Sequence, residues 1–269
     1  MSEEVFGEEY YRNHCGTPME RNAAWLGFFN GIAEQIKATL GPSSVLDAGC
    51  AMGFLVESLW DRGIVAEGVD ISNYAIERVR PDIRPHCRVA SLEAEFKKSY
   101  DLIVTIEVLE HMDYASAASA IENFAKSTNR VLFSSTPDDF VEETHFNVLP
   151  PHRWISLFAD VGFYMNPFYD ASYITPHAIL FEKMDQTTGD LIISSNAALC
   201  RLKKEFHDLK MQSVGSVSRS EYESLNAKLS ETQEHAQTII EEIVQIRNST
   251  SWKITKPLRA AKEWIGRAL

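Results

Sequence analysis

Two groups of residues in this sequence have the types and spacing to do chemistry. In the first, Asp47, Gly49 and Gly53 sit inside VLDAGCAMGFLVESLW (residues 45–60), and a further acid, Asp70 in GVDIS, follows 21 residues after Gly49. In the second, YDLIVTIEVLEHM places Glu107, Glu110 and His111 as E-x-x-E-H, with Asp113 just beyond. Acids beside a glycine turn suit a polar or cationic ligand, because glycine lets the backbone bend and come close. A histidine among carboxylates suits proton abstraction near neutral pH, or coordination of a hard divalent ion.

The elements that must carry these groups follow from the apolar pattern. SVLDAG, VAEGVDIS, HCRVASL, YDLIVTIEV and RVLFSSTP read as strands, and helices are expected to start near Gly53, Asn73, Tyr114 and Pro151. Continuous apolar strands alternating with helices predict a parallel sheet covered on both faces. Two more strands, in GFYMNPFYD and HAILFEK, would complete it before residue 185. Residues 20–40 predict a helix with Trp25, Phe28, Phe29, Ile32 and Ile36 on one face, stopped by Gly41-Pro42. The expected fold is α/β: a Rossmann-like, mostly parallel seven-stranded sheet with helices on both faces, then a C-terminal helical coiled-coil extension. Expected domains are 1–185, 186–247 and 248–269.

The turn discriminates among ligands. A dinucleotide site needs G-x-G-x-x-G, and GCAMGF puts Ala51 and Phe54 where the second and third glycines belong. A P-loop needs a lysine that is absent here. S-adenosylmethionine accounts for the whole set. Asp47 can face its ammonium, Gly49 and Gly53 its methionine portion, and the N-terminus of the next helix its carboxylate. Asp70 can accept from both ribose hydroxyls, and Ser91 and Leu92, after the third strand, are placed at the adenine edge. Cys50, Phe54, Ile71 and Glu107 complete the expected cofactor contacts.

Residues 6–183 resemble the class I S-adenosylmethionine-dependent methyltransferases. The likeness is to the branch of ubiquinone-biosynthesis O-methyltransferases and methyltransferases of bacterial polysaccharide clusters. It rests on VLDAGCAMG, GVDIS, YDLIVTIEVLEHM, VLFSSTP and THFNVLPPHRWISLFADVGF. Ala51 departs from the usual GCGxG. The resemblance implies methyl transfer, and an arginine before the core, here Arg21, meeting the cofactor's carboxylate; Tyr11 and Trp25 would help lid the cleft.

At the reacting end, His111 is expected as general base, with Glu110 and His145 beside it. The alternatives are a divalent metal on Glu107, Glu110 and His111, as similar stretches carry in some relatives, or a purely structural role for all three. His145 would be a reserve ligand for such a metal. In PDDFVEETHFNVLPPHRW, His145 and Asn147 could read a sugar hydroxyl, and Trp154 could stack on a ring.

From Tyr222, apolar positions recur at alternating three- and four-residue spacing to Ile246, a heptad seam expected to form a homo-oligomeric coiled coil, the alternative being a helical hairpin packed on the main domain. The tail NSTSWKITKPLRAAKEWIGRAL combines Lys253, Lys256, Arg259, Lys262 and Arg267 with Trp252 and Trp264, which suits peripheral contact with an anionic membrane. Its start, NSTSWKITKPLR, resembles tails of bacterial glycosyltransferases and other surface-polysaccharide proteins. A net charge of -12 argues against nucleic acid as a partner. Four scattered cysteines, no signal-like start and no long apolar run predict a cytoplasmic protein. The acceptor is expected to be a sugar hydroxyl of a surface or lipid-linked glycan. The alternatives are a small phenol or quinone, or a non-catalytic scaffold in glycan assembly.

Overall fold

In a computed structural model of the chain, residues 3–183 and Ala227 are described. The heptad seam and the basic tail lie outside them.

Five parallel strands form the centre: β1 (Ser44–Ala48), β2 (Val65–Asp70), β3 (Cys87–Val89), β4 (Leu102–Ile106) and β5 (Arg130–Ser134). Two antiparallel strands, β6 (Phe163–Met165) and β7 (Ile179–Lys183), complete a seven-stranded sheet in the order β3-β2-β1-β4-β5-β7-β6. The order in which strands are added reverses between β1 and β4, and open α/β sheets bind ligands at such a switch point, beyond the strands' C-terminal ends.

The middle strands β1, β4 and β5 are mostly apolar because they are buried on both faces. Val45, Leu102, Val104, Leu132 and Leu180 pack with Ile32, Ile36, Leu55 and Leu59, from α2 (Ala23–Thr39) and α3 (Phe54–Trp60). Their neighbours Leu46, Ile103, Val131, Phe133 and Phe181 face Ile121, Phe124 and Phe158, from α5 (Tyr114–Ser127) and α6 (Pro151–Asp160). Alternation along a strand delivers one residue to each core. Caps set the helix starts: Asn22 accepts from the Trp25 N–H at 3.0 Å, and Asp113 from the Ser116 N–H at 2.9 Å.

The sequence reading overextends some elements. The third strand is only Cys87–Val89, and the helix expected from Asn73 is one turn, α4 (Asn73–Ile76). A short helix, α1 (Glu8–Asn13), precedes α2. Trp154, expected to stack on an acceptor, is instead a core residue, 1% exposed, with its ring centroid 5.2 Å from that of Phe133. The apolar stripe of α6 carries it inward, since burying that stripe outweighs any use of the indole at the surface.

Candidate functional site

The turn after β1 is shaped by its glycines. The N–H groups of Gly49 and Cys50 both donate to the Val69 carbonyl, at 2.7 and 3.0 Å, which folds the chain sharply over β2. Gly49 has φ +90°, and a Cβ there would lie 2.3 Å from Val108 Cγ2. It is thus required both for conformation and for close approach to the chain beyond β4. Ala51 and Gly53 also have positive φ, at +45° and +70°, and Gly53 caps α3.

Two acids end adjacent strands at this turn. Asp70 is almost fully buried; its Oδ2 accepts from the Ala51 N–H and its Oδ1 from the Ser72 N–H, both at 2.8 Å. Burial raises its pKa and those backbone donors pull it back. Each oxygen keeps a further lone pair for a ligand hydroxyl. Asp47 is also buried, and its carboxyl is pushed up to about 8 by burial and by Asp70. Among the described residues no lysine or arginine pairs with either acid. A site with two desolvated carboxyls and no resident cation is suited to a ligand that brings positive charge.

Around the turn, Phe54 is buried, and Ile71 is half-buried against Phe6, Tyr11 and Met52. Leu92 is buried, with its carbonyl accepting from Asn123 Nδ2 at 3.0 Å; Ser91 Oγ accepts from the Glu93 N–H. Arg21 is committed elsewhere: its Nη1 pairs with Glu57 Oε2 at 2.5 Å, on α3. Trp25 packs on Phe29 and donates to the Pro18 carbonyl.

The second group gathers beyond β4 and β5. Glu107 holds φ +52°, strained for a side chain of this size, with its N–H on the Ser134 carbonyl at 3.0 Å. Glu110 is wholly buried, and neither carboxyl oxygen has a hydrogen-bond partner. Burial and the charge of Glu107 push its carboxyl well above the usual range. His111 Nδ1 lies 3.1 Å from the Thr144 carbonyl. The Thr144 hydroxyl also lies 3.1 Å from Nδ1 but donates its proton to Glu142 Oε1, at 3.1 Å, so both Thr144 oxygens accept, Nδ1 carries the proton and Nε2 the lone pair. The Tyr10 hydroxyl lies 3.1 Å from Nε2 and donates to it. Burial, aided by His145, lowers the His111 pKa to about 4, so the ring is a neutral acceptor at physiological pH.

His145 stands beside it, with ring centroids 4.7 Å apart, and the Asn147 N–H donates to the Glu110 carbonyl at 2.9 Å. Ligand atoms of Glu110, His111 and His145 all lie within 4.8 Å of one another, a set able to hold a divalent cation. That set includes the reserve ligand His145 in place of Glu107. Glu107 instead faces His177, whose Nε2 is 3.5 Å from its Oε1. Among the described residues, Ser134 Oγ, Ser135 Oγ, Asn147 Nδ2 and Thr175 Oγ1 are buried without a hydrogen-bond partner, and Glu107 Oε1 and His177 Nε2 have only each other, in an ion-pair contact.

Sequence reasoning missed Tyr10, Thr144 and His177. It favoured Tyr11, but Tyr11 is buried against Tyr74, and its neighbour on α1 reaches His111. Adjacent tyrosines on one helix turn carry no signal of which faces the cleft. His177 precedes β7 and is far from the E-x-x-E-H stretch in sequence, so no local pattern marks it.

A family model described as a methyltransferase domain matches residues 21–167. The chain belongs to the methyltransferase domain family. Curated relatives include the ubiquinone biosynthesis O-methyltransferase of Paracidovorax citrulli, 31% identical over 126 residues, covering 43% of this chain and 51% of that one. The protein of the same name from Neisseria meningitidis serogroup C is 33% identical over 109 residues, covering 36% and 46%. The chain therefore spans about half the length of the curated relatives it matches. Among solved structures, magnesium protoporphyrin IX methyltransferase from Synechocystis PCC 6803 with bound SAH aligns with a TM-score of 0.51 at 16% identity, over 67% of this chain and 98% of that one. A SAM-bound amino pentose methyltransferase from Micromonospora echinaspora aligns at 0.50 and 12%, over 61% and 93%. These two likenesses establish the methyltransferase domain's fold.

Proposed function

We propose that this methyltransferase domain uses S-adenosylmethionine to methylate a hydroxyl group. The observation that carries the reading is the pair Asp47 and Asp70, buried at adjacent strand ends with no cationic partner among the described residues. The cofactor supplies a methyl group on a positively charged sulfur. Asp47 offers its carboxylate to the cofactor's ammonium, and Asp70 offers its remaining lone pairs to the ribose hydroxyls. Gly49 and Gly53 bring the backbone against the methionine portion, while Ser91 and Leu92 border the adenine. The hydrogen bonds across the acceptor edge fix His111 as the Nδ1–H tautomer, with Nε2 as the proton-accepting atom. Alignment of acceptor, methyl carbon and sulfur does most of the remaining work. A divalent ion on Glu110, His111 and His145 is the alternative use of the same side chains; it would orient the acceptor hydroxyl and lower its pKa.

For the acceptor, the favoured reading is a sugar hydroxyl of a lipid-linked or surface glycan. Phe140, Val141 and Phe146 are exposed on the loop that carries His145, and an apolar rim suits an acceptor with an apolar portion. The seam and the basic tail would oligomerise the enzyme and hold it at an anionic membrane surface. No helix among the described residues is long and apolar enough to cross a membrane. A small phenol or quinol is the second reading, favoured by the relatives named for ubiquinone biosynthesis.

Calorimetry with S-adenosylmethionine and with NAD, followed by transfer of labelled methyl to glycan and phenolic acceptors, tests the proposal. Binding of the first cofactor and not the second, with label in an O-methyl product, is expected. Binding of NAD alone would overturn the reading.

A further inference from the structure

The lone pair on which the base role of His111 depends is already engaged. Tyr10 Oη lies 3.1 Å from Nε2, while Nδ1 is held by Thr144. No other atom of the ring can take a proton from the acceptor, so the acceptor must either displace the Tyr10 hydroxyl or pass its proton through it.

The segment carrying Tyr10 is built in, which favours passage. Ser72 Oγ donates to the Phe6 carbonyl at 2.5 Å, tying the segment to the chain two residues beyond Asp70. Phe6 and Tyr11 pack with Met52, Phe54 and Ala75, over the glycine turn. The Tyr10 ring is edge-on to Phe6 at 4.9 Å and to Tyr11 at 5.1 Å, and it stacks on His14. His14 Nδ1 is in turn 2.9 Å from Glu142 Oε1, on the loop that carries His145. Tyr10 is therefore held from the cofactor side and from the acceptor side at once.

We propose that Tyr10 is a catalytic residue, its hydroxyl standing between the acceptor hydroxyl and His111 Nε2 as a one-step proton relay. The proposal rests on the reading of His111 as base. In the step, the acceptor oxygen uses a lone pair to form the bond to the methyl carbon, and the carbon–sulfur bond breaks with its electrons going to sulfur. The acceptor's proton passes to Tyr10 Oη as Tyr10's own proton passes to Nε2. Products are the methyl ether, the neutral thioether and imidazolium; Tyr10 is unchanged. Burial, with Glu110, Asp70 and Glu142 nearby, holds the phenol well above its ordinary pKa, so it stays a donor at working pH and cannot replace the histidine as base.

The test uses the full-length protein, labelled S-adenosylmethionine, and catechol and methyl α-mannopyranoside as acceptors. Tyr10→Phe removes only the hydroxyl and keeps the ring contacts. Turnover should fall roughly 10²-fold, the lower range for loss of a proton-transfer group, with cofactor affinity by calorimetry unchanged. Wild-type turnover in mixed H2O and D2O should depend on deuterium fraction with curvature, because two protons move together. A linear dependence overturns the relay without any variant. Equal or faster turnover in Tyr10→Phe also overturns it and makes the hydroxyl a plug that the acceptor displaces. His111→Asn, run in parallel, separates the two ideas: full activity there defeats the base reading itself, as does a wild type inert toward both acceptors. An inactive His111→Asn beside a fully active Tyr10→Phe defeats the relay alone.

Discussion

The edge over β1 and β2 and the edge over β4 and β5 meet where Gly49 abuts Val108, yet they are assembled differently. The first comes from one short stretch. Asp47, Gly49, Gly53 and Asp70 lie within two strands and the turn and helix between them, and backbone geometry does most of the positioning. The second draws on distant segments: Tyr10 reaches His111 across 101 residues, and Thr144 across 33. Both hold ionisable groups whose charged forms burial disfavours. Asp47 and Glu110 are raised because burial penalises the anion, and His111 is lowered because burial penalises the cation. The first edge thus lacks a cation, whereas the second lacks partners for several neutral polar atoms. A charged cofactor and a polar hydroxylated acceptor answer those two deficits respectively.

The comparison can be broken most sharply at His111. His111→Ala should reduce turnover by roughly 10²–10⁴-fold with near-normal cofactor affinity. In the wild type the acid limb of the rate profile should fall near pH 4, where the ring protonates and its lone pair is lost, rather than near 6.5. An acid limb at the ordinary histidine value would place His111 in water and undo the account of that edge.

Gly49→Ala strikes the other edge through backbone. Its φ of +90° and the 2.3 Å approach to Val108 mean strain whichever way the chain relaxes. A loss on the order of 3 kcal/mol in denaturant unfolding is expected, with cofactor binding abolished. Wild-type stability together with intact cofactor affinity would show that the turn tolerates a side chain and that its glycine is incidental.

The smallest effect sharpens the role of Asp47. Its folded pKa of about 8 lies above the unfolded value, so in the free protein the protonated form dominates below pH 8. A cationic ligand binds the ionised form, so affinity should rise with pH, by roughly 25-fold from pH 6 to 7.5. Asp47→Asn should flatten the slope. A pH-independent affinity in the wild type would remove Asp47 from contact with the ligand's charge.

The two edges also differ in how far they can be read from the chain. The edge over β1 and β2 was largely legible, because each residue's place follows from the end of a strand and the turn after it. The E-x-x-E-H stretch was legible as a cluster, but its partners were not. Tyr10 and His177 reach it only through packing of the N-terminal segment and of the chain before β7. Arg21 and Trp154 show the same limit in reverse. Arg21, expected at the cofactor, pairs with Glu57, and Trp154, expected at the acceptor, fills the core.

What the sequence determined by itself is local and periodic: strands apolar on both faces, helices between them, and acids and glycines at the ends of β1 and β2. These follow from backbone sterics and from the two-residue alternation that sends side chains to opposite cores. The tertiary structure alone decided which tyrosine meets His111, which of its nitrogens carries the proton, and that the Glu110 carboxyl is pushed upward. Those outcomes depend on desolvation and on atoms brought within about 3 Å from remote segments, and neither quantity is encoded in spacing along the chain.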